Sequence, residues 1–196
     1  MADQKKTNRA LLLVDIQNDF CSGSLAVPGA LEIIPEINKL INYAHQQHMP
    51  IIASRDWHPE NHCSFAEHGG PWPTHCVAGT EGAAWQPDLA ADQINIIVNK
   101  ACEQNTEQYS AINAQLSNSP QTLLAYLKQQ AIKELIVCGL ALDYCVYHSV
   151  IEAQQNGIQC SVILNCCRHI SEATAKRCLD DMQQAGATLH QSFISL

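Results

Sequence analysis

The sequence predicts a doubly wound α/β fold: a six-stranded, mostly parallel sheet with helices on both faces. Two observations predict it. Short runs of Val, Ile and Leu recur along the chain, and most are continuous rather than alternating, the pattern of strands covered on both faces. Between several of them lie segments of helical periodicity, and strands alternating with helices imply parallel pairing through right-handed crossovers. The length of 196 residues, with 46% hydrophobic content, suffices for one substantial core. With no repeat, low-complexity tract or linker in view, a single domain over residues 1–196 is expected.

The first strand is expected at 10–16 ("ALLLVDI"). A helix follows over 31–47, where Leu31, Ile34, Ile37, Ile41 and Ala44 recur at three- and four-residue spacing. "PIIAS" (50–54) is the second strand. The connection from Arg55 to Gln93 is out of proportion, and rich in Gly, Pro, His and Trp. Loops of that length in compact domains are functional or disordered, and Trp57, Trp72 and Trp85 argue for order. "INIIVN" (94–99) is the third strand. The next helix is expected to open at "SPQTLLAYLKQQ", with Ser119 as N-cap and Pro120 at the first helical position. "ELIVCGL" (134–140) precedes a helix running from Asp143 to a stop at Gly157. "QCSVILN" (159–165) precedes one from Ser171 to Gly186, and "ATLHQSF" (187–193) completes the sheet.

The net charge of -8 argues against nucleic acid or an anionic membrane as partner, since those call for a basic patch. A small-molecule ligand is expected instead; nothing in the sequence sets the oligomeric state. The opening "MADQKKTNR" leads into no signal-like apolar core, and the run after it is too short to span a bilayer. A cytoplasmic protein with reduced thiols follows as the expectation. The ten cysteines and nine histidines raise the alternative of a non-catalytic metal- or thiol-binding protein. Against it, the cysteines form no CxxC pair and are scattered over strands and helices.

In open α/β sheets, ligands bind beyond the carboxyl ends of the strands. Asp15 falls at the end of the first strand, Asp56 and His58 just after the second, Lys100 after the third, and Cys145 in the first turn of the helix after the fourth. Singly, each has a plain reading as a cap, a solvated strand end or a buried thiol. Together they make chemical sense. A cysteine near a helix N-terminus feels the positive end of the macrodipole, and a nearby ammonium would lower its pKa further. A carboxylate beside both can take the thiol proton and later deliver it to a leaving group. Asp15, Lys100 and Cys145 would then form a nucleophilic triad without histidine.

"SRDWHPENHCSF" (54–65) supplies the second cluster. Residues i and i+2 of an extended segment point the same way, so Asp56 and His58 can share one ion, with His75 of "PWPTHCVAGTEG" as the natural third ligand. One carboxylate and two imidazoles suit Zn²⁺, Fe²⁺ or Mn²⁺, and three protein ligands with open positions are the catalytic kind of site. Spacing alone leaves open both a metal site and a polar loop rich in ligand atoms.

The motifs "LLLVDIQNDFCSGSLAVPGA", "ASRDWHPENHCSF", "WPTHCVAGTEGA", "VNKACEQNTEQYSAI" and "IVCGLALDYCV" cover the chain nearly end to end. In these the chain resembles nicotinamidases (pyrazinamidases) of the isochorismatase-like cysteine hydrolase superfamily. The resemblance implies a catalytic Asp15, Lys100 and Cys145, and a metal site of Asp56, His58 and His75. Its fourth contact varies among members, and here His62 and Ser64 are the candidates. It implies an oxyanion hole of backbone N–H groups at Ala141 and Cys145, with a cis peptide at Leu140–Ala141, and a ring pocket lined by Phe20, Trp72, Tyr109 and Ala141. The activity implied is hydrolysis of nicotinamide, and of pyrazinamide, with one divalent metal ion, Zn²⁺ before Fe²⁺ or Mn²⁺, and no organic cofactor. Its place would be NAD salvage. An amidase acting on a carbamoyl or ureido compound is the alternative within the superfamily. Leu142 departs from the family's usual Thr, which puts a side-chain hydrogen bond near the cis peptide in question.

Overall fold

The computed structural model describes residues 7–195. Seven strands form one sheet: β1 (Arg9–Val14), β2 (Ile51–Asp56), β3 (Ile96–Lys100), β4 (Gln115–Leu116), β5 (Glu134–Gly139), β6 (Gln159–Cys167) and β7 (Thr188–His190). Their order is β4-β3-β2-β1-β5-β6-β7, parallel throughout except for β4, which runs antiparallel to β3. The expected six strands are thus present and a seventh is added. β4 escapes the sequence because two residues, one of them Gln115, make no apolar run.

β1 explains why the sheet is covered on both sides. Successive side chains of a strand point to opposite faces, yet every residue from Ala10 to Val14 is fully buried. The helices α1 (Asn18–Cys21), α2 (Ile34–Gln46), α3 (Leu123–Gln129), α4 (Tyr147–Gln155) and α5 (Glu172–Gln184) flank it. α2 buries Ile34, Ile37, Leu40, Ile41 and Ala44 and lies against β1, β2 and β6. Leu31, expected on that apolar stripe, instead sits in a 3₁₀ turn (Ala30–Ile33) and is 50% exposed.

The helix expected to open at Ser119 opens at Thr122, whose side chain accepts the Ala125 N–H at 3.2 Å. Residues 115–122 are occupied otherwise: Leu116 N–H donates to Gln121 C=O at 2.9 Å, so "SNSP" is the turn of a small hairpin. The other caps fall where expected, with Ser171 accepting from Thr174 N–H, and with Gly157 and Gly186 at φ 77° and 96°. Gly139, at φ 129°, pairs with Val14, where a Cβ would lie 2.1 Å from the Val14 carbonyl oxygen; the close approach of β5 to β1 requires glycine there.

β1 is flanked by β2 on one side and β5 on the other, so the strand order reverses at β1, and a crevice opens beyond the carboxyl ends of these strands. The long connection from Trp57 to Asn95 folds over it, pinned by bridges between Gln17 and Trp85 and between His58 and Val77. The Arg55 guanidinium stacks 3.7 Å from the Trp57 ring centre. None of the ten cysteines is joined to another, and no helix among the described residues is long and apolar enough to cross a membrane.

Candidate active site

Each candidate side chain leaves the sheet at a strand end. Asp15 follows β1 with φ 51°, and Ala101 follows β3 with φ 48°, left-handed turns that direct the chain across the crevice. Asp56 and Lys100 are the paired last residues of β2 and β3. Cys145 comes after β5, in a π-helical turn (Leu142–Val146) that leads into α4, rather than in the first turn of an α-helix.

Lys100, with none of its surface exposed, is the hub. Its Nζ lies 2.8 Å from Asp15 Oδ2, 2.5 Å from Asp56 Oδ1 and 3.3 Å from Cys145 Sγ. Burial acts to lower its pKa, but Asp15 and Asp56 outweigh that and hold the ammonium charged. Asp56 is held well below the usual carboxylate range, the buried Lys100 ammonium overcoming the burial that would raise it. Asp15 is raised, because burial exceeds the pull of Lys100. Its Oδ1 accepts the Ser54 hydroxyl at 2.8 Å, while Oδ2 makes the ion pair with Lys100 but no aligned hydrogen bond. That oxygen keeps a lone pair for a proton.

The expected lowering of the Cys145 pKa is reversed. Burial pushes the thiol well above its usual range, and Asp15 and Asp56 add to the rise against the opposing Lys100. A single ammonium shared by two carboxylates leaves little positive field for the sulfur. The resting group is therefore a thiol, with a carboxylate nearby to receive its proton.

Asp56 faces a second cluster through its other oxygen. Oδ2 lies 3.5 Å from His58 Nε2 and 3.9 Å from His75 Nε2, and the two Nε2 atoms are 3.3 Å apart. His58 Nδ1 sits 3.2 Å from the Ala101 carbonyl, and His75 Nδ1 sits 2.7 Å from the Pro73 carbonyl. A carbonyl only accepts, so each Nδ1 carries the proton and each Nε2 presents a lone pair. Burial lowers the His75 pKa, which keeps that ring neutral. Three electron-rich atoms thus converge with no proton between them, an arrangement a divalent cation fits and nothing else among the described residues relieves.

His62 and Ser64 stand apart from this convergence. The His62 ring stacks 4.2 Å from His58, with Nδ1 accepting the Ser64 hydroxyl at 2.7 Å and Nε2 bonded to the Thr106 carbonyl at 3.1 Å. Both of its nitrogens are engaged.

A cleft of about 370 Å³, counting its open mouth, lies above both clusters. Phe20, Trp72, Tyr109, Ala141 and Cys145 line it, with Asp56 and His75 in its wall, and Asp15, Lys100 and His58 are buried beneath. Trp72 Nε1–H donates to Tyr109 Oη at 3.1 Å, fixing two of the aromatic walls. The Leu140–Ala141 peptide is cis. The Ala141 N–H has no acceptor among the described residues, and the Cys145 N–H bonds to nothing outside its own turn. Leu142 donates its N–H to the Arg168 carbonyl at 2.7 Å and turns its side chain toward α5, so the departure from Thr lies outside the cleft.

Three contributors are missed by sequence reasoning. Gln17, fully buried, accepts the Asp56 N–H at 2.8 Å and donates to the Asp56 and Ala83 carbonyls, so it holds Asp56 by its backbone. Ser54, on the same face of β2 as Asp56, was legible from its i, i+2 spacing. Tyr144 packs its edge on Trp72 with ring centres 5.0 Å apart, and its place beside Cys145 was the available signal.

The chain is similar to known proteins in sequence and in fold. The chain is 38% identical to the nicotinamidase of Escherichia coli (strain K12), over 93% of this chain and 94% of that one. Its fold matches the crystal structure of the pyrazinamidase of Pyrococcus horikoshii in complex with zinc, at TM-score 0.83 and 37% identity, covering 94% of this chain and 99% of that chain. It also matches PnC1 from L. infantum in complex with nicotinate, at TM-score 0.84 and 33% identity, over 94% and 93% of the two chains. The isochorismatase domain model matches residues 9–192, and with that span the chain belongs to the isochorismatase family.

Proposed function

We propose that the protein is a metal-dependent cysteine amidohydrolase that converts nicotinamide to nicotinate and ammonia, and accepts pyrazinamide by the same route. The observation that carries this is the sharing of one cleft by a Lys100-centred Asp–Cys pair and a convergent carboxylate–imidazole set, joined through Asp56. A relative named as nicotinamidase, a neighbour named as pyrazinamidase that holds zinc, and PnC1, which holds nicotinate, agree with it. Asp56, His58 and His75 would hold the ion, with zinc favoured. When bound, it would supply a positive centre to which a ring nitrogen lone pair is attracted, in the same cleft as Cys145.

Phe20, Trp72 and Tyr109 enclose the ring and exclude water. Cys145 Sγ attacks the carboxamide carbon as its proton passes to the free lone pair of Asp15 Oδ2. The Ala141 and Cys145 N–H groups, without other acceptors in the cleft, stabilise the oxyanion. Asp15 then protonates the departing nitrogen, the C–N bond breaks, and ammonia leaves a thioester on Cys145. Asp15 next removes a proton from water, the hydroxyl adds to the thioester carbon, and nicotinate departs as the sulfur regains its proton. Lys100 remains an ammonium throughout, holding both carboxylates in place. We assign the reaction to a single hydrolase domain in the cytoplasm, within NAD salvage.

The test is ammonia release from nicotinamide by the purified protein, before and after chelation, with metal content measured on the same sample. Release that stops on chelation and returns with Zn²⁺, Fe²⁺ or Mn²⁺ is the expected result. Absence of release at every metal loading, with turnover of a carbamoyl or ureido compound instead, would overturn the assignment.

A further inference from the structure

The Asp19 carboxylate belongs to neither cluster, yet it lies at the junction that sets one of them. It sits on α1, where Oδ2 accepts the Cys76 N–H at 2.7 Å and Oδ1 accepts the Ser24 N–H at 3.3 Å. Cys76 follows His75 directly and is held at φ 46°, a left-handed conformation that a residue with a side chain keeps only where its surroundings enforce it. The carbonyl of the same residue accepts the His58 N–H at 3.1 Å. The backbone of Cys76 is therefore tied on one side to Asp19 and on the other to His58, while its neighbour supplies His75.

The surroundings are shaped to admit this carboxylate. Asp19 N–H donates to the Gly82 carbonyl at 3.0 Å, and a Cβ on Gly82 would fall 2.1 Å from Asp19 Oδ2. Any side chain at position 82 displaces the acceptor of the Cys76 N–H. Asn18 fastens the same stretch, its side chain donating to the Glu81 carbonyl at 2.8 Å. Segment 76–84 is thus folded around α1, with Asp19 bonded to the residue that follows His75.

We propose that Asp19 is a positioning residue for the metal centre: its carboxylate holds the left-handed turn at Cys76 that brings His75 Nε2 to face His58 Nε2 and Asp56. This rests on the assignment of those three side chains as metal ligands. Asp19 lines no part of the cleft and lies off the reacting sulfur, and it holds the backbone beside its ligand.

The experiment measures the Zn²⁺ dissociation constant, by competition with a chromogenic chelator, for the wild type, Asp19→Asn and Gly82→Ala. Asparagine keeps the size but offers one acceptor where two are used; alanine at 82 keeps the carboxylate and fills its space. Both variants are expected to bind Zn²⁺ about tenfold or more weakly, as loss of a group behind a metal ligand does. The pH profile of Cys145 alkylation by iodoacetamide should stay as in the wild type, since Asp15, Lys100 and Cys145 are carried by other elements. A merely structural role would move both readouts, in step with the melting temperature of the metal-free proteins. Zn²⁺ affinity within about twofold of wild type in both variants overturns the proposal, and so does an alkylation profile that shifts with it. A wild type that binds no Zn²⁺ overturns the ligand assignment itself, and the proposal with it.

Discussion

At the scale of single residues, Lys100 sets the charge balance, buried between Asp15 and Asp56 with its third contact to Cys145. Truncating one partner of a buried ionic network leaves the others uncompensated, at a cost of about 3–5 kcal/mol. Lys100→Ala should lose stability of that order in urea unfolding; a loss below about 1 kcal/mol, the range of exposed pairs, would contradict the buried network. The raised Cys145 and Asp15 pKa values carry a second prediction. Alkylation of the resting protein by iodoacetamide should be slow at neutral pH and climb only in alkali, because the thiol gives up its proton late. Asp15 must be ionised to act as base, and its pKa is raised. Turnover should therefore fall, as pH is lowered, at values above those at which an ordinary exposed carboxylate titrates. Alkylation already at its plateau at pH 7 would mean a resting thiolate and remove both expectations. The sequence located these residues and misjudged the direction for Cys145. Spacing shows which charges meet, but not how deeply they are buried or that one ammonium serves two carboxylates.

At the scale of elements, the strands were legible because buried parallel strands are written as unbroken apolar runs. The site was legible because its polar residues interrupt or end those runs: Asp15 closes "LLLV", and Lys100 closes "IIVN". What stayed hidden was whatever depends on a distant partner. β4 exists because β3 offers it an edge, and the Ser119–Pro120 pair spends its turn-forming chemistry on a hairpin instead of a helix start. Gln17 gave no sign that its amide would hold Asp56 in place. The corrected helix start is directly testable. Thr122→Ala should cost about 1 kcal/mol, the usual worth of an N-cap, whereas Ser119→Ala should stay within about 0.5 kcal/mol. Thermal or urea unfolding of the pair decides it, and a larger loss at Ser119 would restore the earlier start.

At the scale of the molecule, a sheet covered on both faces supports a long connection that is mostly irregular yet carries two of the three candidate metal ligands. Rigid scaffold and bound ion therefore stabilise different parts. An ion that binds only the folded state adds about 2.7 kcal/mol at a hundredfold excess over its dissociation constant. Chelation should lower the melting temperature accordingly and speed amide exchange across residues 57–95, while β1 and β5 keep their protection. Uniform acceleration across the sheet would show instead that the ion holds the whole domain together. The position of β1 between β2 and β5 also has a meaning in time. A chain made from its N-terminus acquires the three candidate metal ligands by residue 75, the candidate base and its lysine by residue 100, and the candidate nucleophile only at residue 145. The Cys145 sulfur is the last of these components to be synthesised, so no nascent chain carries it without the charged groups that surround it in the fold.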